Sequence, residues 1–167
     1  MTTRATVTVE TPSDREIVMT RAFAAPRSLV FDCYTKPQLL KRWLTGPEGW
    51  SFVTCDNDLR VGGPFHWVWR HADGREMGMR GVYREIVWPV RIVRTELFDG
   101  QDKDGETLGA VVLTEQGGKT TMTTTLLYPS RQARDAMLKV GMTRGVSASY
   151  DRLDDVLESL DHSQSAA

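Results

Sequence analysis

Residues 130–160 read SRQARDAMLKVGMTRGVSASYDRLDDVLESL, and the reading of this stretch decides the fold. Leu138, Met142, Gly145, Ser149, Leu153, Val156 and Leu160 recur at three- and four-residue spacing, which puts them on one helical face. Ser130 follows Pro129 and suits an N-cap, because its hydroxyl can accept from a free backbone N–H of the first turn. Asp135 stands near the positive end of this helix, and Arg131, Arg134, Lys139 and Arg152 mark the opposite face. The centre of the apolar face is small: Gly141, Gly145, Ala148 and Ser149. A glycine inside a helix costs about 1 kcal/mol relative to alanine. Two expectations therefore stand. Either the helix breaks near Gly141–Gly145, or the small residues leave room above whatever the helix covers.

What it covers must be the strands before it. Residues 119–128 and 106–115 read as two strands joined by a tight turn at Gln116-Gly117-Gly118. Residues 91–98 form another, separated from 77–87 by the breaker Trp88-Pro89. Phe65, Trp67 and Trp69 alternate along 65–71, and 50–58 is the strand before the Gly62-Gly63-Pro64 turn. Consecutive hairpins imply an antiparallel sheet with one apolar face for the helix to cover. The Asp73-Gly74 hairpin leaves the register open. A two-residue loop pairs Trp69 with Gly78 and Trp67 with Arg80. A loop one residue longer pairs them with Met79 and Gly81, sets Met77, Met79 and Tyr83 beside the tryptophans, and is preferred for its more apolar pocket.

Further upstream, 15–23 (REIVMTRAF) reads as a first strand, and Pro26 suits a first helical position. Residues 26–35 place Leu29, Val30, Cys33 and Tyr34 on a helical face, and Lys36-Pro37 restarts the chain into a second short helix, PQLLKRWL. The class is α+β: one strand, two short helices, about six strands, then a long helix.

Composition narrows the partners. The 167 residues are 40% hydrophobic and 26% charged, with net charge −1 and a sequence pI near 6.3. This balance fits one ordinary folded domain and argues against nucleic acid. No apolar run approaches a membrane span, the start lacks a signal-peptide core, and a cytoplasmic location is expected. Cys33 and Cys55 are the 2 cysteines and read as small buried apolar residues.

The ordered stretches RAFAAPRSLVFDCYTKPQLLKRWL (21–44), LRVGGPF (59–65), DGREMGMRGVYREIVWPVRIVRTE (73–96) and DAMLKVGMTRGVSASYDRLDDVL (135–157) carry a resemblance. From about Glu16 to Leu160 the chain resembles the C-terminal domain family of the activator of the Hsp90 ATPase, within the START-like (SRPBCC, Bet v 1-like) superfamily. The resemblance implies a helix-grip fold, a curved antiparallel sheet wrapped around a long C-terminal helix. It implies a single START-like domain over 15–160, with 1–14 an N-terminal extension or the start of the first strand and 161–167 a disordered tail. The superfamily hosts ligand carriers, cyclases, receptors and co-chaperones, so fold alone does not fix function.

Motifs for chemistry are sparse. Gly118-Lys119-Thr120 lacks the upstream glycine of a phosphate loop, since Leu113 stands there. With Gly105 as the invariant glycine of a calcium loop, Gly100 and Val111 fall where an aspartate and a glutamate are needed. His66 and His71 lie an odd number apart on one strand, so they point to opposite faces, and neither a metal site nor a cofactor is expected. Cys33 has no cation beside it in sequence and reads as core. Glu85, Arg80, Tyr83 and His66 are the candidates for acid–base work, and no catalytic residue is assigned.

The aromatic and methionine content, Trp 5 and Met 7, is the more telling signal. The expected ligand-binding residues are Trp43, Trp50, Phe52, Phe65, Trp67, Trp69, Met79, Tyr83, Met137, Leu138, Gly141, Met142 and Gly145. Gly46-Pro47-Glu48-Gly49 is the expected rim, and Arg80, Tyr83 or His66 the polar groups at the mouth. The leading expectation is a binding domain holding a small hydrophobic, aromatic or acyl molecule between sheet and helix. The alternatives are a co-chaperone-like partner of an Hsp90-type ATPase, which only the resemblance implies, and a cyclase- or aromatase-like enzyme. Edge strands and helix surfaces also offer homodimer sites.

Overall fold

The computed structural model describes residues 4–100 and 105–165. Twelve elements follow in chain order: β1 (Thr8–Glu10), β2 (Glu16–Phe23), α1 (Arg27–Thr35), α2 (Pro37–Trp43), β3 (Trp50–Asn57), β4 (Pro64–His71), β5 (Glu76–Val87), β6 (Arg91–Phe98), β7 (Thr107–Gln116), β8 (Lys119–Leu127), α3 (Arg131–Lys139) and α4 (Met142–Ser165). The eight strands form one curved antiparallel sheet in the order β1-β2-β8-β7-β6-β5-β4-β3. The helices α1 and α2 carry the chain from β2 to the opposite edge. A meander of six strands then returns it to β2, and α3 and α4 follow. This is the expected helix-grip fold of the α+β class.

The helical stretch breaks, so the first of the two expectations holds at its centre. Ser130 caps α3 by accepting from the Ala133 amide at 3.1 Å. Val140 closes α3 and Gly141 follows at φ +76, the left-handed conformation that only glycine adopts without strain. Helix α4 then starts at Met142 and continues through Ser165, beyond the expected end at Leu160 and into the stretch expected as a disordered tail. At the other terminus β1 is a true edge strand, and Pro26 is the N-cap of α1 rather than its first residue.

The register of the β4–β5 hairpin differs from both expected alternatives. Ala72, Asp73 and Gly74 form a three-residue loop in which His71 N–H bonds the Arg75 carbonyl at 2.8 Å and Gly74 takes φ +94. Trp69 therefore pairs with Met77, and Trp67 with Met79. The extra residue enters before Asp73, not after Gly74. The faces survive, because the preferred alternative was off by two residues and side chains alternate with period two.

Apolar packing and a buried ion pair both tie the later turns of α4 to the sheet. Leu153, Val156 and Leu157 enter the main core with Phe23, Trp43 and Tyr150. Arg21, only 2% exposed on the inner face of β2, donates to Asp151 at 2.8 Å and approaches Asp154 at 3.6 Å. Arg134 and Arg152, expected on a solvent face, are instead drawn inward. Arg134 is buried against the Ser13 carbonyl, and Arg152 donates to the carbonyls of Trp43 and Gly46.

Both helix glycines meet open space where a Cβ would stand, so the backbone alone decides the effect of alanine there. Gly141→Ala should lose about 1 kcal/mol, because alanine is forced into the left-handed region. Gly145→Ala should gain about 0.5–1 kcal/mol, because it sits inside a helix. Thermal unfolding of the two variants, shifting in opposite directions, checks the break. Asp151→Ala leaves the buried Arg21 with its more distant partner and should cost about 2 kcal/mol. Arg4→Ala, which loses only exposed pairs, should cost under about 0.5 kcal/mol; urea unfolding compares the two.

Candidate functional site

Helix α4 presents Gly145, Ala148 and Ser149, all small, where it leaves the break, while Val146 between them packs on the sheet residues Met19 and Leu126 and their neighbours. A cavity of about 490 Å³ lies beneath them. Its size falls within the range of small-molecule sites. Trp67, Trp69, Met77 and Met79 of the β4–β5 hairpin form one wall. Met19, Leu126 and Tyr128 from β2 and the end of β8, with Ala133, Met137 and Met142 from the α3–α4 corner, form the other. Trp43, Leu44, Gly46, Pro47 and Glu48 make the rim.

The rim is anchored rather than loose. Trp69 Nε1 donates to the Leu44 carbonyl at 2.8 Å, Trp43 Nε1 to the Cys33 carbonyl at 2.8 Å, and Arg152 Nε to the Trp43 carbonyl at 3.0 Å. Every one of these bonds crosses between elements, so the rim, α1, α4 and β4 hold one another.

Of the residues expected to bind a ligand, Trp43, Trp67, Trp69, Met79, Met137, Met142 and Gly145 line the cavity. The others do not. Phe52 stacks behind Trp69 at a ring separation of 4.8 Å, and Phe65 behind Trp67 at 4.8 Å, so both are core backing to the wall. Trp50 packs on His71 and under the Arg75 guanidinium. Tyr83 is fully buried, and its hydroxyl donates to Asn57, which in turn bonds the Thr35 carbonyl. Leu138 packs in the small cluster of Ile17, Met19, Leu126 and Tyr128, and Gly141 is exposed at the helix break.

The expected polar groups at the mouth are displaced as well. Arg80 is paired with Asp99, His66 lies on the same outer face beside Asp99, and Glu85 pairs with Arg91. The polar lining comes from residues not singled out in the sequence. Arg94 and Glu96 of β6 line the cavity with Tyr34, Thr124 and Tyr150. Arg94 Nε donates to Glu96 Oε2 at 3.1 Å, and its guanidinium carbon stands 4.6 Å from the Trp67 ring and 5.3 Å from the Phe65 ring. Gly109, across from Arg94 on β7, leaves the space the Glu96 carboxylate occupies; a Cβ there would meet Glu96 Oε2 at 2.8 Å.

Burial favours loss of the Arg94 charge, but Glu96, Tyr83 and Tyr34 outweigh it and hold the cation charged. Burial also pushes the Tyr34 and Tyr150 phenols upward, so both stay neutral hydroxyls. Tyr150 shares hydrogen bonds with Thr124, at 3.3 Å, and with Tyr34. The site is thus an apolar chamber with one neutralised ion pair and a small hydroxyl network in its wall.

The cysteines stand apart from this chemistry. Burial, assisted by Asp32, pushes the Cys33 thiol up to about 12, and burial raises Cys55 to about 11, so neither is a thiolate at neutral pH. Asp102 and Asp104 of the tested calcium loop lie outside the described residues. Among the described residues no helix is long and apolar enough to cross a membrane, and no three His, Cys, Asp or Glu side chains gather as a metal site.

Comparison with known proteins gives the same architecture. A protein of known structure from Rhodobacter sphaeroides is 28% identical, with a TM-score of 0.87 over 92% of this chain and 99% of the other. The Mycobacterium smegmatis protein Ms6760 is 25% identical, with a TM-score of 0.79 over 90% of this chain and 96% of its own. A Nitrosomonas europaea protein, at 22% identity and a TM-score of 0.80 over 91% and 99%, shares the fold. No match was found among curated proteins. The sequence matches the model of the "Activator of Hsp90 ATPase homolog 1-like protein" family over residues 24–158, which is most of its length, and the chain therefore belongs to that family.

Proposed function

We propose that this chain is an intracellular binding domain that takes a small hydrophobic molecule, aromatic or acyl, into the cavity between the sheet and α4. The observation that carries the reading is the half-open cavity of about 490 Å³ with its wall of tryptophan, methionine and leucine. Flat aromatic rings and flexible thioethers are the side chains that fit varied apolar guests. Moving roughly 200 Å² of aromatic surface out of water there yields about 5 kcal/mol before ordering costs. The break at Gly141 and the small residues at Gly145 and Ala148 support the same reading, since a close-packed interface would fill that space.

Two other readings keep specific support. Membership of the family supports a co-chaperone-like contact with an Hsp90-type ATPase; absence of any change in that ATPase's turnover on adding this protein removes it. The ion pair Arg94–Glu96 in the cavity wall supports a cyclase- or aromatase-like enzyme, which needs an ionisable group beside its substrate.

The binding reading is tested by filling the chamber from the helix side. Gly145 accepts a side chain without steric conflict on the backbone, and leucine there would occupy the cavity. The wild type should enhance the emission of N-phenyl-1-naphthylamine at micromolar concentration. Gly145→Leu should weaken that binding by about ten-fold or more while unfolding no earlier than wild type, because a helix former replaces glycine. Unchanged dye binding in Gly145→Leu, or none in the wild type, contradicts the proposal.

A further inference from the structure

Glu96 brings an open acceptor into the cavity wall. It lines the cavity from β6, and its side chain keeps 14% of its surface exposed. One carboxylate oxygen is engaged: Oε2 accepts from Arg94 Nε at 3.1 Å and lies against Gly109. The other, Oε1, has no donor among the described residues, and it is not closed off from solvent-sized space. Arg94, by contrast, is turned toward the protein. Glu96 takes its Nε–H, the Tyr83 hydroxyl shares a further hydrogen bond with it, and the Trp67 and Phe65 rings cover the guanidinium.

The remaining polar groups of the lining are engaged or stand in solvent. Thr124 and Tyr150 bond each other, and Tyr34 bonds Tyr150. Glu48, the other carboxylate of the lining, is on the exposed rim and stays hydrated whatever the cavity holds. Glu96 is less exposed, and its charge acts on another wall residue: burial, then Glu96, pushes the Tyr128 phenol upward. Water entering a half-open cavity hydrates Oε1, but an apolar guest expels that water and leaves a carboxylate oxygen without a donor, which is costly. A guest that carries its own O–H restores the bond. Charge narrows the choice further, because Glu96 and Arg94 already form a neutral pair. A carboxylate guest would set a second anion beside Glu96, and an ammonium guest a second cation beside Arg94.

Building on the binding reading above, we propose that the cavity selects neutral ligands with an apolar body and one hydroxyl, which donates to Glu96 Oε1. The apolar body lies against Trp69, Met79, Met137 and Met142. The ligand class is thus an apolar alcohol or phenol. A ketone of the same shape is rejected, because it accepts hydrogen bonds but donates none and leaves Oε1 open.

Four matched probes test this by calorimetric titration into the purified protein: 2-naphthalenemethanol, 2-acetylnaphthalene, 2-naphthoic acid and 2-naphthylmethylamine. The alcohol should bind about ten-fold or more tightly than the ketone, and more tightly than either charged compound. In Glu96→Gln, which keeps the shape of the side chain and removes its charge, the alcohol's advantage over the ketone should shrink several-fold. If the ketone binds the wild type as tightly as the alcohol, the hydroxyl proposal falls while the binding reading stands. An advantage that persists undiminished in Glu96→Gln also overturns it, because the acceptor is then another group. If the acid or the amine binds most tightly, the preference for a neutral guest is wrong. If none of the four binds, the binding reading falls and this proposal with it. The ranking of the four probes is measured on the wild type, so it does not depend on the variant folding.

Discussion

Large and small residues alternate along the sheet-facing side of helix α4, and the rest of the site follows from that constraint. Its later turns are locked by Leu153, Val156 and Leu157 in the core and by Arg21 reaching Asp151. Its first turns carry Gly145 and Ala148 and begin after a glycine that redirects the chain. A helix that touches the sheet through Met142 and Val146 but carries only small residues between them and Leu153 leaves a gap over a curved sheet. Trp67, Trp69 and Met79 line the gap it leaves. The cavity is therefore a consequence of where large and small residues fall along one helix, not of any special loop.

The same geometry explains why charged groups sit in the wall. At the centre of β6 both faces are buried, so a charge on either side must be paired. Arg94 and Glu96 lie two residues apart on the helix-facing side, where they pair with each other, and the guanidinium is spread over the faces of Trp67 and Phe65. Gly109 on the neighbouring strand is part of this arrangement, because a Cβ there would meet the Glu96 carboxylate at 2.8 Å and push it aside. Tyr34, Thr124 and Tyr150 complete a polar strip in an otherwise apolar chamber.

The fold was largely legible in the sequence because its signals are periodic or obligatory. Ser130 as a cap, Pro37 at the first turn of α2 and the alternation of Phe65, Trp67 and Trp69 each have one physical reading. The hairpin register was not legible, because Asp73-Gly74 fits a loop of two residues or of three, and only the glycine's place in the three-residue loop decides it. The apolar wall was half legible: Trp67 and Trp69 were readable from alternation, but nothing local shows that Phe52 and Phe65 stand behind them rather than beside a guest. The polar strip was hidden for a different reason. In RIVRTELF the odd positions Val93, Thr95 and Leu97 look like the inner face, yet Ile92, Arg94, Glu96 and Phe98 face the helix side. A shift of one residue exchanges the faces, and local sequence does not fix it when both faces are buried. Arg21 carried a readable signal, an arginine at an inward position between Met19 and Phe23, which marks a buried cation needing a partner.

Methionine-methyl NMR tests the central claim most directly, because the seven methionines sample the cavity, the core and the surface. On titration with naphthalene, the ε-methyl signals of Met79, Met137 and Met142 should shift together and saturate, while that of Met122, packed in the core away from the cavity, should stay in place. A shift confined to Met122, or none at concentrations near naphthalene's solubility limit, would contradict a chamber open to an apolar guest between α4 and the sheet.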